Sequence, residues 1–203
     1  MGNCAGIGNP GIANGASPPN NDGMARIVAA SEWSTVQTVQ HARSLLGKLL
    51  VRQSPTDGTR IRTRITETEA YDGPRDQASH AFRGRTPRTS VMFEPAGVWY
   101  VYLCYGVHEM LNLVTGPRDY PAAVLIRGTQ RIQGPGRLTK RLGIDRDLNT
   151  QPCAPASGLW LEDDGRVVPA DEVSATPRIG IDYAGPNWAA KPWRFVWRGS
   201  DES

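Results

Sequence analysis

Two carboxylates stand two positions apart in the segment RITETEAYDG, residues 64–73. Side chains two apart on a β-strand share a face, so Glu67 and Glu69 point the same way if this segment is a strand. The preceding residues alternate arginine with side chains such as Ile61 and Ile65, and continuing that alternation places both carboxylates on the inward face. A carboxylate carried inward loses hydration, which raises its pKa unless a partner holds the charge. The pattern indicates either an acid/base site or a structural pairing with a nearby arginine.

The flanking sequence predicts the elements that would position this pair. Ser34 and Gln37 resemble a capping box that opens a helix ending at Gly47. The ranges 48–53 and 60–71 predict a hairpin around the turn SPTDGT. Further strands are expected at 98–107, 110–114, 122–129, 159–162, 178–182 and 194–197, and a short helix is expected to begin in GPGRLTKRLG. The segment 98–107 is apolar on both faces, which is typical of a central strand.

These elements predict an α+β fold. We expect a single domain with a mostly antiparallel, curved β-sheet core, peripheral helices and a protruding β-hairpin. The length of 203 residues suits one domain with one core. Residues 1–30 are rich in Gly, Asn, Pro and Ala and cannot bury enough apolar surface to order themselves, so we expect a disordered tail before a domain at 31–203.

Charge and composition limit the possible partners. The chain has 23 Lys and Arg against 20 Asp and Glu, a net charge of +3 that suits a polyanionic partner without proving one. Four arginines crowd the loop after the carboxylates: Arg75, Arg83, Arg85 and Arg88. No apolar run reaches the ~18 residues of a membrane span, and no signal peptide is evident, so we expect a cytoplasmic protein with no membrane partner.

The sequence predicts no metal and no cofactor. The three cysteines lie far apart without a C-x-x-C pair, which indicates a reducing compartment and argues against both a disulfide framework and a zinc site. The three histidines, His41, His80 and His108, also lack metal-ligand spacing.

Four separated blocks carry a resemblance to a known family. TETEAYDGPRDQASHAFRGRTPR, MFEPAGVWYVYLCYGVHEMLNLV, GPGRLTKRLGI and WAAKPWRFVWRGS resemble, in the same order, the alkyladenine (3-methyladenine) DNA glycosylases. The match extends from about Ala42 to Ser200. The resemblance implies that 31–203 is a catalytic domain that flips a damaged purine out of double-stranded DNA and hydrolyses its N-glycosidic bond. It implies neither a metal nor a covalent enzyme intermediate.

The resemblance also implies roles for individual residues. Glu69 is expected to be the general base that activates water against C1′ of the flipped nucleotide. The family's base pocket is walled at the positions of Tyr71, His80 and Tyr102, whose aromatic faces suit cationic alkylpurines. Asn112 is expected to crowd the 2-amino group of undamaged guanine and so to reject it.

The remaining expected roles concern the DNA outside the pocket. Tyr105 matches the family's wedge, which enters the minor groove and fills the gap left by the flipped nucleotide. Arg127 matches a position near the DNA, and we expect Arg88 and Arg137 to contact phosphates. No catalytic lysine is evident, so the enzyme should be monofunctional and leave an abasic site. We expect it to act as a monomer, associated with the nucleoid if the source is bacterial.

Two other functions remain open at this point. A glycoside hydrolase could use Glu67 and Glu69 as its acid/base pair, since same-face neighbours on a strand lie ~7 Å apart, within the inverting range. The arginine-rich loop disfavours that interpretation. A DNA-binding module related to the glycosylases in shape alone is the second alternative, and the intact Glu69 argues against it.

Overall fold

The computed structural model describes Met1 and residues 25–199 and shows one α+β domain built on a curled antiparallel sheet. The strands are β1 (Arg26–Ile27), β2 (Leu49–Gln53), β3 (Arg60–Tyr71), β4 (Trp99–Cys104), β5 (His108–Val114), β6 (Ala123–Thr129), β7 (Ile132–Gln133), β8 (Leu159–Asp163), β9 (Val173–Thr176) and β10 (Arg194–Trp197). Three α-helices pack around the sheet in the described ranges: α1 (Thr38–Ser44), α2 (Pro135–Leu142) and α3 (Pro186–Ala189). The predicted fold class is confirmed.

Strand β3 organises the sheet, whose main path runs β1-β8-β2-β3-β6-β5-β4. The prediction of a central strand at 98–107 is wrong, because β4 lies at the end of this path and pairs with β5. The first half of β3 pairs with β2, and the second half pairs with β6. The short strand β10 lies on the other edge of the second half, with Arg194 opposite Glu69. At Glu69 the backbone of β3 is therefore held on both edges, which fixes this residue in the centre of the sheet.

The predicted inward face of β3 is wrong in part. The pairing of β3 with β6 shifts register between Ile65 and Glu67 and again between Glu67 and Thr68. Ile65 and Ala70, five positions apart, belong to the same core cluster, although strict alternation would put them on opposite faces. A β-bulge adds one residue and so reverses the alternation that follows it. Glu69 consequently faces away from the side of Ile65.

The exposed start of β3 is a second departure, because Ile61 is exposed there rather than inward. The main core instead lies between α1, α2 and the sheet. It is built from large, fully buried side chains including Leu45, Leu50, Ile65, Trp99, Leu111, Ile126, Leu138 and Leu161.

The first helix begins later than predicted. A 3-10 helix at Ala30–Trp33 precedes it, and the Ser34 hydroxyl donates to the carbonyl of Ser31 to close that turn. Ser34 is thereby engaged in the turn before the helix, and α1 starts only after Gln37, whose side chain makes no capping hydrogen bond.

The strand predicted at 178–182 is wrong. The strand in this region is β9, which ends at Thr176, and Gly180 has a φ of 74° that interrupts an extended backbone. The strand at 194–197 and the helix that begins in GPGRLTKRLG are confirmed as β10 and α2.

Two further sequence predictions are not tested. The tail predicted at 1–30 lies mostly outside the described residues. Strands β4 and β5 are antiparallel neighbours joined by residues 105–107, but a protruding hairpin remains a prediction. No helix within the described ranges is long and apolar enough to span a membrane.

Candidate active site

A cavity of about 480 Å³ opens beside the second half of β3. Strands β4, β5 and β6 form its floor, and the loops at 78–92 and 179–183 form its sides. Seven of the sequence-predicted pocket and DNA residues line this cavity: Tyr71, His80, Arg88, Tyr102, Tyr105, Asn112 and Arg127. The structure therefore gathers residues that are spread over nearly sixty positions of the sequence.

Glu69 lies immediately behind the wall of this cavity and is 0% exposed. Its Oε2 accepts a hydrogen bond from the Tyr71 hydroxyl at 2.9 Å, and its Oε1 accepts one from the Ile179 N–H at 2.8 Å. The Arg127 guanidinium lies 3.4 Å from Oε1. These three partners all line the cavity, so the carboxylate is held at its edge by groups that a bound ligand would touch.

Two opposing effects set the protonation of Glu69. Burial raises the pKa of the Glu69 carboxyl above its ordinary value, and the neighbouring Glu67 adds to that rise. Arg127, the Ile179 N–H and the Tyr71 hydroxyl each lower it by stabilising the charged form. A carboxylate with a raised pKa that is still held by donors is suited to accept a proton from water.

Glu67 is engaged differently. Its Oε1 accepts hydrogen bonds from Arg127 Nε at 2.9 Å and from Arg194 Nε at 2.6 Å. Glu67 does not line the cavity. Two arginines thus fix this carboxylate as a charge partner, and the arrangement does not favour Glu67 and Glu69 acting together as an acid/base pair on a sugar.

Aromatic rings form one side of the cavity. The rings of His80 and Tyr102 meet edge to face with centroids 4.6 Å apart, and Tyr100 lies 5.1 Å from Tyr102. A hydrogen bond of 3.1 Å joins His80 Nδ1 and the Tyr100 hydroxyl. Burial, with a smaller effect of Arg88, lowers the pKa of His80 to about 4, so its imidazole is neutral at pH 7. A neutral ring does not repel a cationic base.

Asn112 lies on β5 in the cavity floor and is buried. Its Nδ2 donates to the carbonyls of Tyr100 at 3.1 Å and Met110 at 3.3 Å. Both bonds go to the backbone of the sheet, so the amide is fixed in orientation. A rigid side chain in a pocket floor can exclude a ligand group by contact.

Tyr105 lies at the mouth of the cavity and is 92% exposed. Its φ of 50° is in the left-handed region, which is uncommon for a residue other than glycine. This conformation turns the chain between β4 and β5 and leaves the ring without a packing partner in the core. An exposed aromatic ring in a strained turn is the geometry expected of the wedge.

The three arginines expected to contact DNA lie in different environments. Arg88 is exposed, with its guanidinium carbon 5.0 Å from the centre of the Tyr102 ring at the cavity mouth. Arg137 is exposed on the first turn of α2, beyond the cavity lining. The Arg127 side chain is only 13% exposed and is already paired with both glutamates, so its surroundings favour a role inside the cavity over a phosphate contact.

Sequence reasoning missed several residues of the site. Tyr100 could have been found, because it shares the WYVYLCY segment with Tyr102 and lies two positions from it. The Ile179 N–H and the buried pair of Asp76 and Arg178 could not, since backbone donors and contacts between residues about a hundred positions apart leave no local signal.

No group of three or more His, Cys, Asp or Glu side chains in the described ranges is placed to hold a metal ion. Cys104 and Cys153 are both free thiols, and the burial of Cys153 raises its pKa to about 12.

A buried carboxylate beside an aromatic-walled cavity in a curled sheet defines a candidate hydrolase site for a planar ligand, and comparison with known proteins defines the class. The family model described as methylpurine-DNA glycosylase (MPG) matches residues 32–133 and 129–201. The chain belongs to this family, and it is therefore a DNA glycosylase, a hydrolase of alkylation-damage repair. The resemblance found in the sequence blocks is confirmed.

Individual relatives agree with this family. A protein of Psychrobacter cryohalolentis is 46% identical over 200 residues, covering 84% of this chain and 92% of the relative. A protein of Myxococcus xanthus is 49% identical over 169 residues, covering 78% of this chain and 84% of the relative. Both are named "Putative 3-methyladenine DNA glycosylase". The DNA-3-methyladenine glycosylase of Arabidopsis thaliana is 39% identical over 185 residues, covering 81% of this chain and 69% of the relative.

Proposed function

We propose that this enzyme excises methylated and deaminated purines from double-stranded DNA, with 3-methyladenine, 7-methylguanine and hypoxanthine as its substrate class. The observation that carries the proposal is the position of Glu69, buried at the edge of an aromatic-walled cavity and held by three of its lining residues. A duplex hides C1′ and the base edges, so the target nucleotide must leave the stack to reach such a cavity.

Glu69 is the general base of the proposed reaction. It accepts a proton from a water that attacks C1′, and its negative charge stabilises the cationic sugar that develops as the base departs. Tyr71 and the Ile179 N–H orient the carboxylate, while Arg127 joins it to Glu67. No lysine lines the described cavity, which supports a monofunctional hydrolysis that leaves an abasic site.

The aromatic wall supplies the preference for damaged bases. A purine alkylated at N3 or N7 is cationic and stacks more strongly on electron-rich rings such as Tyr102 and Tyr71. Because His80 is neutral at pH 7, it adds no opposing charge. Asn112 meets the 2-amino group of guanine, and Tyr105 fills the space left in the duplex. We expect the enzyme to act as a monomer.

Release of free base tests the proposal. Purified protein is incubated with duplexes that carry hypoxanthine or 3-methyladenine, and the liberated base and abasic sites are quantified beside a Glu69→Gln control. Base release that depends on Glu69 supports the proposal. Duplex binding without base release would favour a non-catalytic DNA-binding module.

A further inference from the structure

A buried ion pair lies directly behind the candidate site. Arg178 Nη1 and Nη2 donate to Asp76 Oδ2 at 2.6 Å and Oδ1 at 2.9 Å, and both side chains are 0% exposed. Arg178 Nη1 also donates to the carbonyl of Ala70 at 2.8 Å. The guanidinium therefore binds the backbone of β3 at Ala70, the residue between Glu69 and Tyr71.

The same guanidinium packs between two aromatic rings. Its carbon lies 4.8 Å from the centre of the Tyr71 ring and 5.0 Å from that of Trp193. Tyr71 in turn donates its hydroxyl to Glu69. The residue that follows Arg178 donates the Ile179 N–H to the other oxygen of Glu69. Arg178 thus contacts or adjoins both hydrogen-bond donors that hold this carboxylate.

Asp76 connects the pair to the opposite side of the cavity. Besides Arg178, its carboxylate accepts the N–H groups of Asp72 at 3.1 Å and Ala78 at 3.0 Å. These bonds shape the loop that leads from Tyr71 to the short helix bearing His80. The Tyr183 hydroxyl donates to the carbonyl of Ala78 at 2.9 Å and ties the segment after Arg178 to the same loop.

We infer that Arg178 and Asp76 are positioning residues that set the geometry of Glu69 by locking the Ile179 N–H and the Tyr71 ring in place. This inference rests on the proposed role of Glu69. A buried ion pair is weak evidence for stability, since apolar pairs of similar volume often fold as well. The contacts of this pair with both donors to Glu69 give it a more specific purpose than holding the fold together.

The first test is Arg178→Lys. The lysine ammonium keeps the positive charge, but it cannot form the bidentate ion pair with Asp76 together with the hydrogen bond to the Ala70 carbonyl. We expect the single-turnover rate of base release to fall by about 10–100-fold, the effect of a small misplacement at the reacting centre. Affinity for lesion-containing DNA should change by less than about 3-fold, because every side chain of the pocket wall and the wedge is retained.

The pH profile separates positioning from general damage. With the Ile179 N–H displaced, Glu69 loses a donor that lowers its pKa. The acid limb of the pH–rate profile should therefore move to higher pH. The other groups that face Glu69 are not substituted in this variant: Glu67 and Tyr71 on β3, Arg127 on β6, and Arg194 on β10 through Glu67. A purely structural defect would lower the rate by the same factor at every pH and would leave the position of the acid limb unchanged.

Arg64→Lys is the matched control. Arg64 also makes a two-pronged bond to an aspartate, Asp164, and a bond to a backbone carbonyl, that of Gly47. Arg64 lies in the first half of β3, and neither it nor Asp164 lines the cavity. Arg64→Lys should alter the melting temperature without moving the acid limb of the pH–rate profile.

The double variant Asp76→Asn with Arg178→Met covers the case in which Arg178→Lys fails to fold, because it leaves neither charge buried alone. A folded double variant with a reduced rate and a shifted acid limb supports the inference. Normal rate and profile in a folded Arg178→Lys or double variant overturn it, as does a loss that only follows the melting temperature. Glu69→Gln run in parallel distinguishes the two claims: an active Glu69→Gln rejects the proposed function, whereas an inactive one beside a normal Arg178→Lys rejects the positioning role alone.

Discussion

The Tyr71 hydroxyl donates a 2.9 Å hydrogen bond to Glu69 Oε2 from two residues along the same strand. Tyr71 also lines the cavity, so one side chain joins the pocket wall to the carboxylate behind it. The two residues share a face because they lie two positions apart, and the β-bulge before them turns that face away from the side of Ile65. In the proposed reaction this one hydroxyl group would couple substrate recognition to the acid/base chemistry of Glu69.

Tyr71→Phe tests this coupling. The ring and its stacking remain, but Glu69 loses a donor that lowers its pKa. We expect the acid limb of the pH–rate profile for single-turnover base release to move to higher pH. The rate near neutral pH should fall by about 5–30-fold, the effect of losing ~1–2 kcal/mol of hydrogen bonding. Lesion affinity should stay close to that of the wild type. An unmoved limb would show that the hydroxyl does not influence the reacting carboxylate.

Tyr105→Ala tests the wedge. Since the ring is almost fully exposed, its removal should leave the melting temperature within about 2 °C of the wild type. Binding and excision should weaken most for lesions in fully paired duplexes and least for mispaired or single-stranded lesions, where less unstacking has to be offset. Losses of equal size on all three substrates would contradict a wedge.

Asn112→Ser tests guanine rejection. Shortening the side chain should raise excision of guanine and 7-methylguanine relative to hypoxanthine by one to two decades, corresponding to ~1–3 kcal/mol of relieved clash. The substitution should also lower the free energy of unfolding by about 1–2 kcal/mol, because the amide's two hydrogen bonds to backbone carbonyls are lost. Single-turnover rates on matched duplexes, with melts of both proteins, measure the two effects separately. An unchanged ratio of guanine to hypoxanthine excision in a folded variant would contradict the rejection of guanine by Asn112.

The folding stability of Glu69→Gln provides an independent check on the burial of this carboxyl. Because the folded-state pKa of Glu69 is raised, the folded state binds its proton more tightly than the unfolded state does. Ionisation then destabilises the wild type as pH rises from the unfolded pKa through the folded one. The glutamine variant lacks this penalty and should melt at or above the wild-type temperature at pH 7–8. A clearly lower melting temperature there, with no such loss in acid, would contradict the sign of the shift.

The sequence predicts those parts of the fold that depend on local patterns. Strand β10 and helix α2 follow directly from alternation and from Pro135 after Gly134. The bulge in β3 leaves no mark in the residue types, so simple alternation predicts the wrong face of the sheet for Glu69. The segment at 178–182 looks extended, yet it is fixed by the bond of Arg178 to Asp76, 102 positions away. Contacts at that separation depend on the whole topology.

The residues of the candidate site could be identified from the sequence, but their contacts could not. The resemblance to a family supplied the residues that line the cavity, but it could not show what holds them. The 13% exposure of Arg127 and its bonds to Glu67 and Glu69 emerge only when β3 and β6 are paired. Exposure of a side chain depends on its neighbours in space, so a motif identifies such a residue without assigning its contact.

The most direct test of the account is the rate of base excision by Glu69→Gln under single-turnover conditions, on a duplex containing hypoxanthine, with Glu67→Gln as the control. The amide retains the shape of Glu69 and can keep its bonds to Ile179 and Tyr71, but it cannot accept a proton from water. We predict a loss of at least about 1,000-fold for Glu69→Gln, with lesion binding within a few fold of the wild type, and a much smaller loss for Glu67→Gln. Excision by Glu69→Gln at a rate near that of the wild type would contradict the account.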